Sequence, residues 1–345
     1  MNRRDLLKTA AAAPLAAALG GQAPARSSSA AALRPRRLSA GDTVALVGPA
    51  SATFVRMDLE IARESLEALG LKVIVGEHLR DRRGYLAGDD AARAADINRF
   101  FADGSVRAVL PIRGGWGSSR VLPHLDYETI RRNPKIVLGY SDITALLLAI
   151  HARCGLVTFH GPNGMGRWDS WSADFVRRVL FGAEIVTFEN PRDRGEFLVQ
   201  TEHRIQTLAP GVARGRLLGG NLTVLTAILG SPYMPSWDGS ILFLEDVGED
   251  IYRVDRMLTS LKLAGVLQKI RGFVFGTCEE CEPGEGYGSL TLEEVLEDHV
   301  LPLKIPAWRG AMIGHEMPQF TLPVGAEVEI DASTGTIRML APAVT

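Results

Sequence analysis

From residue 43 onward, short apolar runs alternate with amphipathic stretches. Thr43–Val47 and Lys72–Val75 read as strands, and Met57–Leu69 between them as a helix with apolar positions on one side. The alternation continues with a helix opened by Asp89 or Asp90 and running to Phe101, a strand at Val106–Leu110 and a short helix after Ser118. A strand at Lys135–Leu138, a helix at Asp142–Cys154 and a strand at Leu156–Phe159 follow. Five strands with crossover helices predict an α/β fold, a doubly wound parallel sheet whose ligands bind beyond the carboxyl ends of the strands.

From Gly161 the pattern loosens into a Gly/Trp/Asp/Ser segment over 162–171, followed by a helix near Ala173–Leu180. Strand-like pieces then fall at Arg204–Leu208, Val212–Leu218, Ser240–Asp246, Gly272–Gly276, Glu327–Ile330 and Thr336–Leu340, with helices at Asn221–Leu229, Ile251–Leu263 and Thr291–Val300. This mixture predicts a smaller α+β or barrel-like second domain. The expected organisation is a signal over 1–25, a Ser/Ala/Arg-rich linker over 26–39, an N-terminal domain over 40–162, a junction over 163–203 and a C-terminal domain over 204–341.

The first residues change where the protein works. Asn2-Arg3-Arg4-Asp5-Leu6-Leu7-Lys8, the alanine-rich Thr9–Leu19 and Ala23-Pro24-Ala25 form a twin-arginine export signal with a small-residue cleavage site. Its apolar part is about half of the roughly 20 residues that span a bilayer, so no stable membrane anchor is expected. With 46% hydrophobic and 23% charged residues, the chain has a globular composition, and its net charge of −2 provides no basic face for a nucleic acid polymer.

Three places carry candidate chemistry. Val106–Arg120 runs from a strand through Gly114-Gly115-Trp116-Gly117 into a helix, with Ser118 at the turn. A nucleophile elbow needs such glycines, and the amides of Gly115 and Ser119 would face a developing oxyanion. A helix-capping Ser118 is the competing reading. The spacing fits neither G-x-G-x-x-G nor a P-loop. Among seven histidines, His160, at a strand end, and His315, on a glycine loop, are candidates for a base. The apolar run Ile241–Leu244 ends in Glu245 and Asp246, and a carboxylate there must be paired: to an imidazole, to Arg253 or Arg256, or, for Asp246, as a helix cap.

At these residues the sequence resembles the LD-carboxypeptidase family of serine peptidases, which includes the microcin C resistance peptidases. The resemblance rests on Arg113-Gly114-Gly115-Trp116-Gly117-Ser118, Gly139–Leu146, Leu242–Asp246 and Gly314-His315. It implies a flavodoxin-like first domain, and a triad of Ser118, His315 and Glu245 at the domain interface that cuts the amide before a terminal D-alanine of murein peptide without cofactor or metal. Glu316 departs from the family's Gly-His-Gly and sets a carboxylate beside the base. Arg113, Trp116 and Trp168 are candidates to contact substrate, with Arg120, Arg167 and Trp171 as further ones. Cys278 and Cys281 suit a redox pair, half of a zinc site or a disulfide, and Cys154 a core helix. A peptidyl-nucleotide substrate, a non-catalytic periplasmic binding protein and a homodimer remain alternatives on sequence.

Overall fold

The computed structural model describes residues 32–345 apart from 167 and 285–287, so the export signal lies outside the described residues. In the first half, the elements are β1 (Thr43–Val47), α1 (Arg56–Ala68), β2 (Lys72–Val75), α2 (Asp90–Ala102), β3 (Val106–Pro111), α3 (Ser118–Val121), α4 (Tyr127–Arg132), β4 (Ile136–Gly139), α5 (Thr144–Cys154) and β5 (Thr158–His160). In the second half they are α6 (Ser170–Val176), β6 (Thr187–Phe188), β7 (Gln206–Ala209), β8 (Val212–Asn221), α7 (Leu222–Ala227), β9 (Ile241–Val247), α8 (Ile251–Leu263), β10 (Gly272–Glu279), α9 (Leu292–Val300), β11 (Ala307–Arg309), β12 (Leu322–Val324), β13 (Glu327–Asp331) and β14 (Thr336–Met339).

The five expected strands form a parallel sheet in the order β5-β4-β3-β1-β2. Continuous apolar runs such as Val44–Val47 are buried throughout, as strands covered on both faces must be. α1 covers the sheet with a stripe of Leu59, Ala62 and Leu66, and exposes the rest. α5 has almost no polar face because it packs against β4 and β5 on one side and β8 and α7 on the other.

The second sheet has eight strands in the order β6-β14-β13-β8-β9-β10-β11-β7. Its centre, β8 to β11, is parallel, and the flanking strands are antiparallel. It is a curled half-barrel with β6 and β7 at its two edges.

Three departures from the sequence reading matter for the site. β12, inside the segment expected to be wholly C-terminal domain, pairs antiparallel with β5 and becomes the sixth strand of the first sheet. The chain after β11 therefore crosses from one sheet to the other. The inner end of the expected linker is built into the fold: Leu33 N–H donates to Gly155 O at 2.8 Å, Arg37 N–H donates to Thr345 O at 2.9 Å, and Leu38 is buried. Neither Asp89 nor Asp90 caps α2 with its side chain; they pair instead with Arg83 and with Arg93 and Arg120.

Candidate active site

β4 ends at Gly139, and the chain turns through Tyr140 and Ser141 into a 3-10 turn over Ser141–Ile143 that leads directly to α5. Ser141 has φ 65°, a left-handed conformation that a residue with a side chain adopts at a cost of about 1–3 kcal/mol. Strand, strained serine and helix have the backbone geometry of a nucleophile elbow. Asn163 braces it by accepting the Tyr140 N–H on Oδ1 at 3.2 Å. The Ser141 hydroxyl lies 3.0 Å from His315 Nε2, and His315 Nδ1 lies 2.9 Å from Glu245 Oε2. A carboxylate only accepts, so Nδ1 carries the proton and Nε2 is left to accept from Ser141.

Each member comes from a different part of the fold. Glu245 is fully buried near the end of β9, in register with Asn221 of β8. Asp246, on the other strand face, is outside this hydrogen-bonded series: its carboxylate accepts from Asn221 Nδ2 at 2.9 Å and from Thr223 N and Oγ1 at 3.0 and 2.9 Å, tying down the start of α7. Arg253 pairs with Glu249 and Asp250 instead of with either of these two acids. His315 sits on the crossing between β11 and β12. Thr277 of β10 donates to Ile313 O, and Phe320 N–H donates to Met312 O, fixing both sides of that loop. Gly314 has φ 120°, and a Cβ there would lie 2.8 Å from Glu245 Oε2, so only glycine lets the loop approach the carboxylate this closely.

Burial works against a charged His315, but the hydrogen bond and charge of Glu245, with the charges of Asp246 and Glu279, outweigh it and raise its pKa above the usual imidazole value. Glu316 is exposed and is not among these causes.

The structure does not bring Ser118 to this histidine. Ser118 is fully buried, its amide donates to Asp142 Oδ2 at 2.7 Å, and its hydroxyl donates to the Asp142 carbonyl. The glycine loop is thus the wall of the site and not its elbow. Buried Arg93, which the sequence reading passed over, holds it through Gly117 O at 2.9 Å and Pro49 O. The wall lies tight against the elbow: a Cβ at Gly114 would stand 3.1 Å from Ser141 Oγ and 3.2 Å from the Asp142 amide.

An open cleft of about 330 Å³ lies over the Ser141 hydroxyl, lined by Arg113, Gly114, Gly115, Tyr140, Asn163, Met165 and His315 among others. That size suits a small ligand. Of the residues expected to contact substrate or oxyanion, Arg113 and Gly115 line this cleft, whereas Trp116, 69% exposed, is not in the lining. Ser119 lies on α3, outside the lining. Trp168 is also elsewhere: its Nε1 donates to Gly164 O at 3.1 Å, and its ring lines a small apolar gap with Leu66, Leu110 and Leu180, as a loop anchor does. Trp171 packs on Phe175 and Phe320, and Arg120 is paired with Asp90. Arg167 lies outside the described residues. Cys278 and Cys281 are bonded to each other, and Cys154 is buried in α5, where desolvation pushes its thiol up to about 11.

A signal for Ser141 was present in the sequence. Gly139-Tyr140-Ser141 matches the first half of G-x-S-x-G after a strand and before a helix, with Ile143 in place of the second glycine.

Comparison with known proteins agrees with this architecture. The LD-carboxypeptidase N-terminal domain model matches residues 44–161 and the C-terminal domain model residues 214–330. A twin-arginine translocation signal model matches residues 1–20, so the chain carries an export signal for that pathway. A probable murein peptide carboxypeptidase of Bacillus subtilis is 40% identical, over 88% of this chain and 93% of its own. The microcin C7 self-immunity protein MccF of Escherichia coli is 31% identical, over 88% of this chain and 94% of its own. The ligand-free structure of MccF superposes with a TM-score of 0.81 at 28% identity, covering 91% of this chain and 100% of that one. A muramoyltetrapeptide carboxypeptidase from Oxalobacter formigenes superposes with a TM-score of 0.71 at 27% identity, covering 86% of this chain and 97% of that one. With both domains matched in order, the chain belongs to the LD-carboxypeptidase family, and as a member of that family it is a hydrolase.

Proposed function

We propose that this protein is an exported serine LD-carboxypeptidase that releases a terminal D-alanine from murein peptides outside the cytoplasm, with Ser141 as nucleophile. The observation that carries the reading is the continuous hydrogen-bonded series Ser141–His315–Glu245 opening onto the cleft. His315 Nε2 takes the Ser141 proton as Oγ attacks the scissile carbonyl, and Glu245 stabilises the imidazolium through Nδ1. The imidazolium then protonates the leaving amine of D-alanine, and water, activated by the same nitrogen, releases the acyl group. Oxyanion donors, each worth roughly 3–4 kcal/mol in the transition state, would come from the Asp142 amide and the Gly114–Gly115 turn, which packs against Ser141. Arg113 is the cleft guanidinium suited to the substrate's terminal carboxylate.

The test is incubation of the purified mature protein with a murein tetrapeptide, followed by measurement of free D-alanine. Release of D-alanine is expected. Cleavage of a peptidyl-nucleotide with no action on the tetrapeptide would replace this substrate with one like that of the microcin proteins, a reading that the likeness to MccF keeps in view. Turnover of neither substrate would remove the carboxypeptidase reading.

A further inference from the structure

Behind the hydrogen-bonded series, two buried polar groups have no partner. Glu245 commits Oε2 to His315, while its Oε1 and both ring nitrogens of His160 are buried without a hydrogen bond among the described residues. His160 is 1% exposed and ends β5 in register with Gly139, two residues before Ser141. Its ring meets Phe243 edge-on at 5.3 Å and Tyr140 at 6.3 Å, and Tyr140 in turn meets His315 at 5.0 Å. Phe243 and Glu245 point to the same face of β9 by strand alternation. The four side chains His160, Tyr140, His315 and Glu245 thus share one compartment at the seam of the two sheets. A buried polar group left unmade costs roughly 1–3 kcal/mol, and protein interiors satisfy such groups directly or through a bound water.

We infer that His160 is a positioning residue whose neutral imidazole donates an N–H to Glu245 Oε1, directly or through one buried water, holding the carboxylate with Oε2 on His315. This rests on the Ser141–His315–Glu245 reading above. A neutral ring suits the task, because a charged one would compete with His315 for the carboxylate. Complete burial takes His160 down to about 4, despite the opposing charge of Glu245 and with His315 adding to the fall.

The experiment compares the full mature chain with His160→Leu, which removes the donor, and His160→Asn, which keeps one; His160→Met replaces the leucine variant if that fails to fold. Misplacement of a catalytic group by about 1 Å can cost about 10²-fold. Loss of the donor is therefore expected to lower kcat about 10–100-fold with KM nearly unchanged, and asparagine to restore most of it. The second readout is the His315 ring-proton titration by NMR, which needs no substrate. The titratable groups that face it are Glu245, Asp246, Glu279, Tyr140 and His160, and only the last is altered. The His315 pKa is expected to fall in the leucine variant and to return with asparagine. Equal losses in the leucine and asparagine variants would overturn the inference, as would a folded donor-free variant with wild-type kcat and an unchanged titration. If the wild type turns over no LD-peptide, the functional reading fails, while the NMR titration still decides the role of His160.

Discussion

Replacing Ser141 with alanine, beside the same change at Ser118, separates the serine that lies against His315 from the one that the sequence reading chose. Ser141→Ala removes the only hydroxyl on His315 Nε2 among the described residues and leaves the packing of the elbow intact. Loss of a triad nucleophile costs up to roughly 10⁶ in kcat, or about 8 kcal/mol at 1.36 kcal/mol per decade. Ser118→Ala deletes a donor to the Asp142 carbonyl in a fully buried position. Its cost falls on stability, about 1–3 kcal/mol for the unmade bond, a drop of a few degrees in Tm. Turnover in the Ser118 variant is expected to remain within about tenfold of wild type, because the bond it loses is to the Asp142–Ile143 peptide and not to Ser141 or His315. The assay is D-alanine release, with melting curves confirming folded protein and a serine-directed fluorophosphonate as a label that needs no peptide. The wild type and Ser118→Ala should take up the label, and Ser141→Ala should not. An active Ser141→Ala, or a well-folded Ser118→Ala without activity, would refute the assignment.

Other consequences follow from the same geometry. The base must be neutral to take a proton and its pKa is raised, so activity is present at high pH and lost as pH falls through the folded value. The acid limb of kcat/KM against pH should therefore lie above the ordinary imidazole value of about 6.5. Glu245→Gln removes the largest raising influence: the limb should move to lower pH, and kcat should fall about 10²–10⁴-fold in the same titration. Gly314→Ala forces a side chain into a φ of 120° and against Glu245 Oε2, with an expected loss of about 1–3 kcal/mol in denaturant melts and at least tenfold in kcat. Arg113→Ala removes the carboxylate contact but none of the reacting groups, so KM should rise about 10–100-fold with kcat little changed in steady-state assays.

Much of this was legible along the chain. Strands β1 to β5 lie within a residue or two of the expected ones, because parallel strands buried on both faces must be unbroken apolar runs and the helices between them must carry a one-sided stripe. That the carboxylates ending β9 would be paired was legible for a related reason, since burial forbids leaving them alone, while the choice of Glu245 over Asp246 came from the family resemblance. β6 and β12 were missed; both are edge strands, two and three residues long.

The choice between Ser118 and Ser141 lay beyond local pattern. Both follow glycines at the carboxyl ends of neighbouring strands, β3 and β4, and both open a helical turn, so the same backbone chemistry describes either. Helix capping, buried hydrogen bonding and nucleophilic attack all draw on one hydroxyl, and nothing in the residues beside it says which partner will arrive. That partner arrives from far along the chain. β12 joins β5 in the first sheet, carrying the His315 loop across from β11, and Gly314 lets the loop close on Glu245 so that Nε2 falls on Ser141. Apolar periodicity and glycine turns specify the elements and the edge where chemistry gathers. Which serine meets the imidazole is decided by the crossing of one loop between two sheets, because a hydrogen bond to it depends on a distance of about 3 Å that only the packed fold imposes.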